Sequence, residues 1–116
     1  MFINLEEILI TILDDWTEEK YCVGTFARDS SSNPVHYNCT TAVRWCIMGY
    51  ISKISHVAAV PKIGDIIAYI AKENGLSYTL LAGINDKLGY DIVQGLVLAA
   101  LKMLQEVPQE HLWNKK

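Results

Sequence analysis

The apolar residues between Ile92 and Leu104 constrain this chain most. Ile92, Val93, Leu96, Val97, Ala100, Leu101 and Leu104 recur at helical spacing and cover a wide face. The run is too short to span a bilayer and carries Gln94 and Lys102, so it reads as a helix of a protein core. Asp91-x-x-Gln94 opens it and Pro108 ends it. Such a face needs other elements to cover it.

Two further stripes supply them. Leu5, Ile8, Leu9, Ile12, Leu13 and Trp16 follow a capping box, Asn4-Leu5-Glu6-Glu7, with Ile3 and Ile8 placed for a hydrophobic staple. That helix runs to about Trp16, with Glu6, Glu7, Asp14 and Asp15 on its wet face. Ile63, Ile66, Ile67 and Ile70 form the other stripe, closed by Asn74-Gly75. His56 to Lys62 reads as a linker ending in Pro61. Ser77 to Ile84 reads as a short helix behind a Ser77 cap, and Asn85-Asp86-Lys87-Leu88-Gly89 as a turn.

Between the first helix and the third stripe the text changes. Tyr21 to Arg28 is β-branched and aromatic, Asp29-Ser30-Ser31-Ser32-Asn33-Pro34 is a turn by chemistry, and Val35-His36-Tyr37 returns as a second short strand. Asn38 or Thr40 then caps a helix running to about Ser55. The expected fold is all-α, or mostly α: a four- to five-helix, bundle-like domain with one short extended or β-hairpin insert at about 21–37. A single domain covers 1–108, and 109–116 is a loose tail.

Arg44-Trp45-Cys46 looks like a chemical site, but helical geometry would split it. On a helix from Thr40 to Ser55, Cys46 faces the core, Arg44 points nearly opposite, and Trp45 lies between. Cys39 would sit about two turns earlier, near the helix N-terminus, where exposed amides lower a thiol pKa. With His36 as base and Asp86 or Asn85 as orienter, a Cys39/His36 hydrolase can be written. His36, Cys39, Cys46 and His56 match no usual zinc spacing, so neither metal nor cofactor is expected.

Arg28 and Arg44, the only arginines, flank the insert. Arginine suits planar contact with carboxylate or phosphate. Either they pair with Asp29 or Asp86 and pin the insert, or they face a small anionic ligand with Trp16, Trp45 or Tyr37 stacking on it.

Bulk properties exclude some functions. Net charge is −3 and no basic cluster precedes Lys115-Lys116, so a nucleic-acid polymer is not an expected partner. With 51% hydrophobic and 20% charged residues, the chain reads as globular rather than disordered. A mean hydropathy of +0.16 favours a second copy covering part of the surface, as a homodimer. The acidic N-terminus is no signal peptide, and three cysteines read as reduced thiols of a cytoplasmic protein without membrane contact.

Asp15-Trp16, Gly24-Thr25-Phe26-Ala27-Arg28-Asp29, Ala42-Val43-Arg44-Trp45-Cys46-Ile47-Met48-Gly49 and Ile84-Asn85-Asp86 occur in that order, followed by Val93, Leu96 and Ala99-Ala100. This pattern resembles a family of short uncharacterised proteins from phages and bacteria, with a helix motif Ala-x-Arg-Trp-Cys-x-x-Gly-Ala and a downstream Asn-Asp turn. Tyr50 here replaces the small residue after Gly49, which implies a looser helix contact. The resemblance implies a phage or mobile-element origin and assigns no catalytic residue.

The function expected is a small non-enzymatic binding protein, interfering with a host system if phage-encoded, through a protein surface or a nucleotide-type ligand held by Arg28, Arg44, Trp45, Trp16, Tyr37 and Asp86. The alternatives are the cysteine-dependent hydrolase and a purely structural homo-oligomer.

Overall fold

The computed structural model describes residues 4–106. Ile3, Pro108 and the tail at 109–116, which the sequence assigned to a staple, a helix stop and a loose end, lie outside them. The elements are α1 (Leu5–Asp15), a 3₁₀ turn (Glu18–Lys20), β1 (Ala27–Arg28), β2 (Pro34–Val35), β3 (Arg44–Trp45), α2 (Ile47–Ile54), α3 (Ala59–Glu73), α4 (Leu81–Gly83) and α5 (Tyr90–Glu106). A π-helical turn, Ile84–Leu88, joins the last two. The domain is mostly helical, with a small antiparallel sheet ordered β2-β1-β3.

The three apolar stripes become α1, α3 and α5. Asn4 caps α1 as its chemistry predicts, its Oδ1 accepting the amides of Glu6 at 2.8 Å and Glu7 at 3.2 Å. Ile8, Leu9 and Ile12 of α1, Ile63, Ile66 and Ile67 of α3, and Val93, Val97 and Ala100 of α5 are buried together. α1 and α5 run antiparallel. Gln94 Nε2 donates to the carbonyls of Ile12 at 3.2 Å and Trp16 at 3.0 Å, and Gln105 reaches Glu6 at the other end. Gln94 thus binds α1 rather than its own helix start, and the helix opens one residue before Asp91, at Tyr90. Gly75 (φ +69) follows the end of α3, as Asn74-Gly75 predicted. Among the described residues no helix is long and apolar enough to cross a membrane.

Four further boundaries differ from expectation. The helix placed at 40–55 begins at Ile47, because Arg44 and Trp45 pair with β1 in the register Ala27↔Trp45 and Arg28↔Arg44. Long-range hydrogen bonds hold that segment extended. The Trp45 carbonyl accepts from Trp16 Nε1 at 3.0 Å and from the Cys22 amide at 3.2 Å, and the Cys46 amide donates to the Phe26 carbonyl at 3.1 Å. Local propensity has no access to such partners. The linker ends early too, since α3 starts at Ala59 and holds Pro61 in its first turn, where no amide partner is lost. Ser77 caps nothing: the chain stays irregular to Leu80, and α4 is one turn. Asn85 to Leu88 lie in the π-helical turn, closed by Gly89 at φ +96.

Candidate functional site

The sheet and its loops, residues 21–45, form one structural piece pinned to the helices by aromatic and amide side chains. Trp16 is fully buried, with ring centroids 5.9 Å from Tyr21, 6.2 Å from Tyr50 and 5.2 Å from Tyr90. Its indole N–H holds the Trp45 carbonyl, and Trp45 Nε1 donates to the Tyr37 carbonyl at 2.9 Å. Trp45 itself is buried. In the ligand-binding alternative of the sequence, either tryptophan is a ring that stacks on the anion. The structure instead places them as pillars beneath the insert, and of the three proposed stacking rings only Tyr37 stays half-exposed.

Asn85 is the second pin, and sequence reasoning underrated it. It has no exposed surface. Its Oδ1 accepts the Ile47 amide at 3.0 Å, at the first position of α2. Its Nδ2 donates to the Cys22 carbonyl at 3.1 Å and to Asp86 Oδ1 at 2.8 Å. Tyr21 donates its hydroxyl proton to the Asn85 carbonyl. Burial is the main reason the Tyr21 phenol pKa is raised. The pair Asn85-Asp86 read as an ordinary turn. Only the long-range contacts reveal an amide wedged between the insert and α2.

Arg28 and Arg44 face each other directly across β1 and β3. Arg28 donates to the carbonyls of Ser32 at 2.9 Å and Val23 at 3.0 Å. Arg44 donates to Ser32 Oγ at 2.7 Å and to the Asp29 carbonyl at 3.3 Å. Both guanidiniums therefore converge on Ser32, a residue at φ +68. The expected carboxylate partners are turned elsewhere. Asp29 Oδ1 accepts the amides of Ser31 and Asn33, each at 2.9 Å, and Asp86 Oδ1 accepts the Gly24 amide at 3.3 Å. Among the described residues neither arginine forms an ion pair. The arginines do pin the insert, but through carbonyls and a hydroxyl. Like charges directly opposite on a sheet destabilise it.

Beside this pair lies a group of rings. Phe26 is 42% exposed, and its centroid is 6.2 Å from Tyr37. His36 is exposed and stacks on Tyr37 at 4.2 Å. Nothing in the sequence distinguished Phe26 from a core aromatic. Its exposure follows from the bend of the chain before β1.

The cysteine chemistry rearranges. Cys39 lies in a loop rather than at a helix N-terminus, and its Sγ is 3.1 Å from Thr41 Oγ1. Hydrogen bonding by Thr41 lowers its thiol pKa. His36 Nδ1 accepts the Asn38 amide at 3.1 Å, so that nitrogen faces its own backbone and not the thiol. Neither proposed orienter serves that pair, since Asn85 and Asp86 are committed to the contacts above. Cys46 is the N-cap of α2: its Sγ accepts the Gly49 amide at 3.3 Å, and burial raises its pKa to about 11. His56 Nδ1 accepts the Ala58 amide at 3.1 Å at the start of α3. Among the described residues no group of three or more His, Cys, Asp and Glu side chains is gathered as metal ligands.

No protein-family model, curated protein or solved structure matches this chain.

Proposed function

We propose that this protein is a non-enzymatic binding protein whose insert takes a small anionic ligand, a phosphate or carboxylate group, on Arg28 and Arg44. The observation that carries the reading is the cross-strand pair itself: two guanidiniums, opposite in register, partly buried, and without a carboxylate partner among the described residues. Their contacts to backbone oxygens hold both forks in place before any ligand arrives, which lowers the entropic cost of binding. Each keeps N–H donors outside those contacts. An arriving anion would relieve the repulsion between the two charges as well as accept hydrogen bonds.

A protein that binds such a ligand without turning it over acts by sequestration. The resemblance to phage proteins gives that a setting, the withholding of a nucleotide-type signal from a host system in the host cytoplasm. Thermal denaturation with inorganic phosphate and with nucleotides tests the binding. The midpoint should rise with anion concentration, and Arg44→Lys, which keeps the charge but loses the fork, should blunt the rise. No shift with any anion removes the reading.

Self-association is favoured by a separate observation. Ile10 and Leu98, 39% and 43% exposed, lie on the antiparallel α1–α5 pair between its two polar contacts. A second copy covering them would make the protein a homodimer. Sedimentation should then give a dimer for the native chain and a monomer for Leu98→Asp.

A further inference from the structure

The face that carries the two arginines continues into the exposed rings, and this specifies the ligand more closely. Phe26, in the bend just before β1, is exposed, Ala27 is buried and Arg28 is half-buried, so the alternation of the strand carries on to Phe26 and sets it on the side of Arg28. The β1–β2 register ends at Ala27↔Val35, and the next residues of the two segments, Phe26 and His36, are both exposed. The Cys46 amide on the Phe26 carbonyl closes the Ala27↔Trp45 pair at that end. One end of the face thus holds two guanidiniums. The other holds the contiguous rings of Phe26, Tyr37 and His36. The two ends are ~7 Å apart along the strand, about the reach of one sugar.

We propose that the ligand is a nucleoside monophosphate, with its phosphate on Arg28 and Arg44 and its base against Phe26 and the Tyr37–His36 stack. This rests on the anion-binding reading above. A phosphate dianion matches two guanidinium charges. A polyphosphate or a nucleic-acid strand fits worse, because Asp29 and Asp86 flank the pair and the chain carries net charge −3 with no basic track leading away. The partly exposed Phe26 ring gives a base a π-face that needs no particular base identity.

Calorimetric titration of the full chain with inorganic phosphate, ribose 5-phosphate and adenosine 5′-monophosphate separates the two parts. The nucleotide should bind on the order of tenfold more tightly than ribose 5-phosphate. Phe26→Leu should abolish that difference and leave ribose 5-phosphate binding unchanged. Arg44→Lys should weaken all three. Equal affinity for nucleotide and sugar phosphate would overturn the base site while the anion site stands. Absence of binding by all three, with folding verified by circular dichroism, would overturn both. Circular dichroism on Phe26→Leu separates lost stacking from lost fold.

Discussion

Asn85 Oδ1 accepts the first amide of α2, that of Ile47, at 3.0 Å, while its Nδ2 holds the Cys22 carbonyl at 3.1 Å on the opposite side. One buried amide thereby joins the insert, the π-helical turn and α2. Asn85→Ala would leave a buried donor and a buried acceptor unpaired. The expected cost is about 3 kcal/mol, set by desolvated partners rather than by the lost bonds alone. Urea denaturation should show the midpoint fall. Asn85→Asp keeps the acceptor for Ile47 but sets a buried carboxylate against the Cys22 carbonyl and Asp86, so it should cost at least as much as alanine.

Gly49 sits where no side chain fits. A Cβ there would stand 2.1 Å from the Phe26 carbonyl oxygen and 2.9 Å from its carbon, both backbone. The motif after Arg44-Trp45-Cys46 needs glycine because α2 starts directly under the insert. Gly49→Ala should cost about 3 kcal/mol by forcing the two apart. At Gly95, within α5, nothing among the described residues lies within 4 Å of the same position. Gly95→Ala should therefore stabilise the protein by about 0.5–1 kcal/mol through helix propensity. Thermal denaturation of both variants checks the contrast.

The helices were legible wherever their cause is local. The stripes of α1, α3 and α5, the Asn4 cap and the Asn74-Gly75 stop are encoded within a few residues of where they act. The insert was legible as extended text but not as a sheet of three strands. Its third strand, Arg44–Trp45, is held by Ala27 and Arg28 and by the indole of Trp16, which lie far away in sequence. The same distance hid the burial of Trp16 and the role of Asn85. The arginine pair was legible as a candidate, since two arginines flanking one insert are conspicuous. That they face each other, and not Asp29 or Asp86, depends on a register that no spacing rule supplies.

Cys39 should be the thiol that reacts first. Hydrogen bonds from Thr41 lower its pKa, whereas burial raises those of Cys22 and Cys46. Brief iodoacetamide treatment near pH 7.5, followed by peptide mass spectrometry, should find the label at Cys39 and almost none at the other two. Thr41→Ala should slow that labelling. His36→Ala should leave the rate unchanged, because His36 Nδ1 binds the Asn38 amide. A clear loss of rate in His36→Ala would instead revive the cysteine hydrolase.

The hydroxyl of Tyr50 donates to Asp15 at the end of α1, beside Lys20, which pairs with the same carboxylate at 3.1 Å. The pKa values of the two groups are shifted in opposite directions. Tyr50, buried in the core, has its phenol pKa raised, first by burial and then by Asp15. A raised folded-state value favours the protonated form, so this contribution is intact below the ordinary tyrosine pKa of about 10 and is lost as pH rises above it. Asp15 has its pKa lowered, first by Tyr50 and then by Lys20. Its contribution is present above the ordinary carboxylate value and is lost as pH falls below it. Because the Asp15 side chain is 57% exposed, that acid limb should be shallow. Stability measured by urea midpoint should therefore be flat near neutrality and fall more steeply between about pH 10 and 11 than at the acid end. Tyr50→Phe should cost about 1 kcal/mol at pH 7 and remove much of the alkaline fall. An alkaline slope unchanged in Tyr50→Phe would assign the loss to another group, of which Tyr21, also raised by burial, is the first to examine.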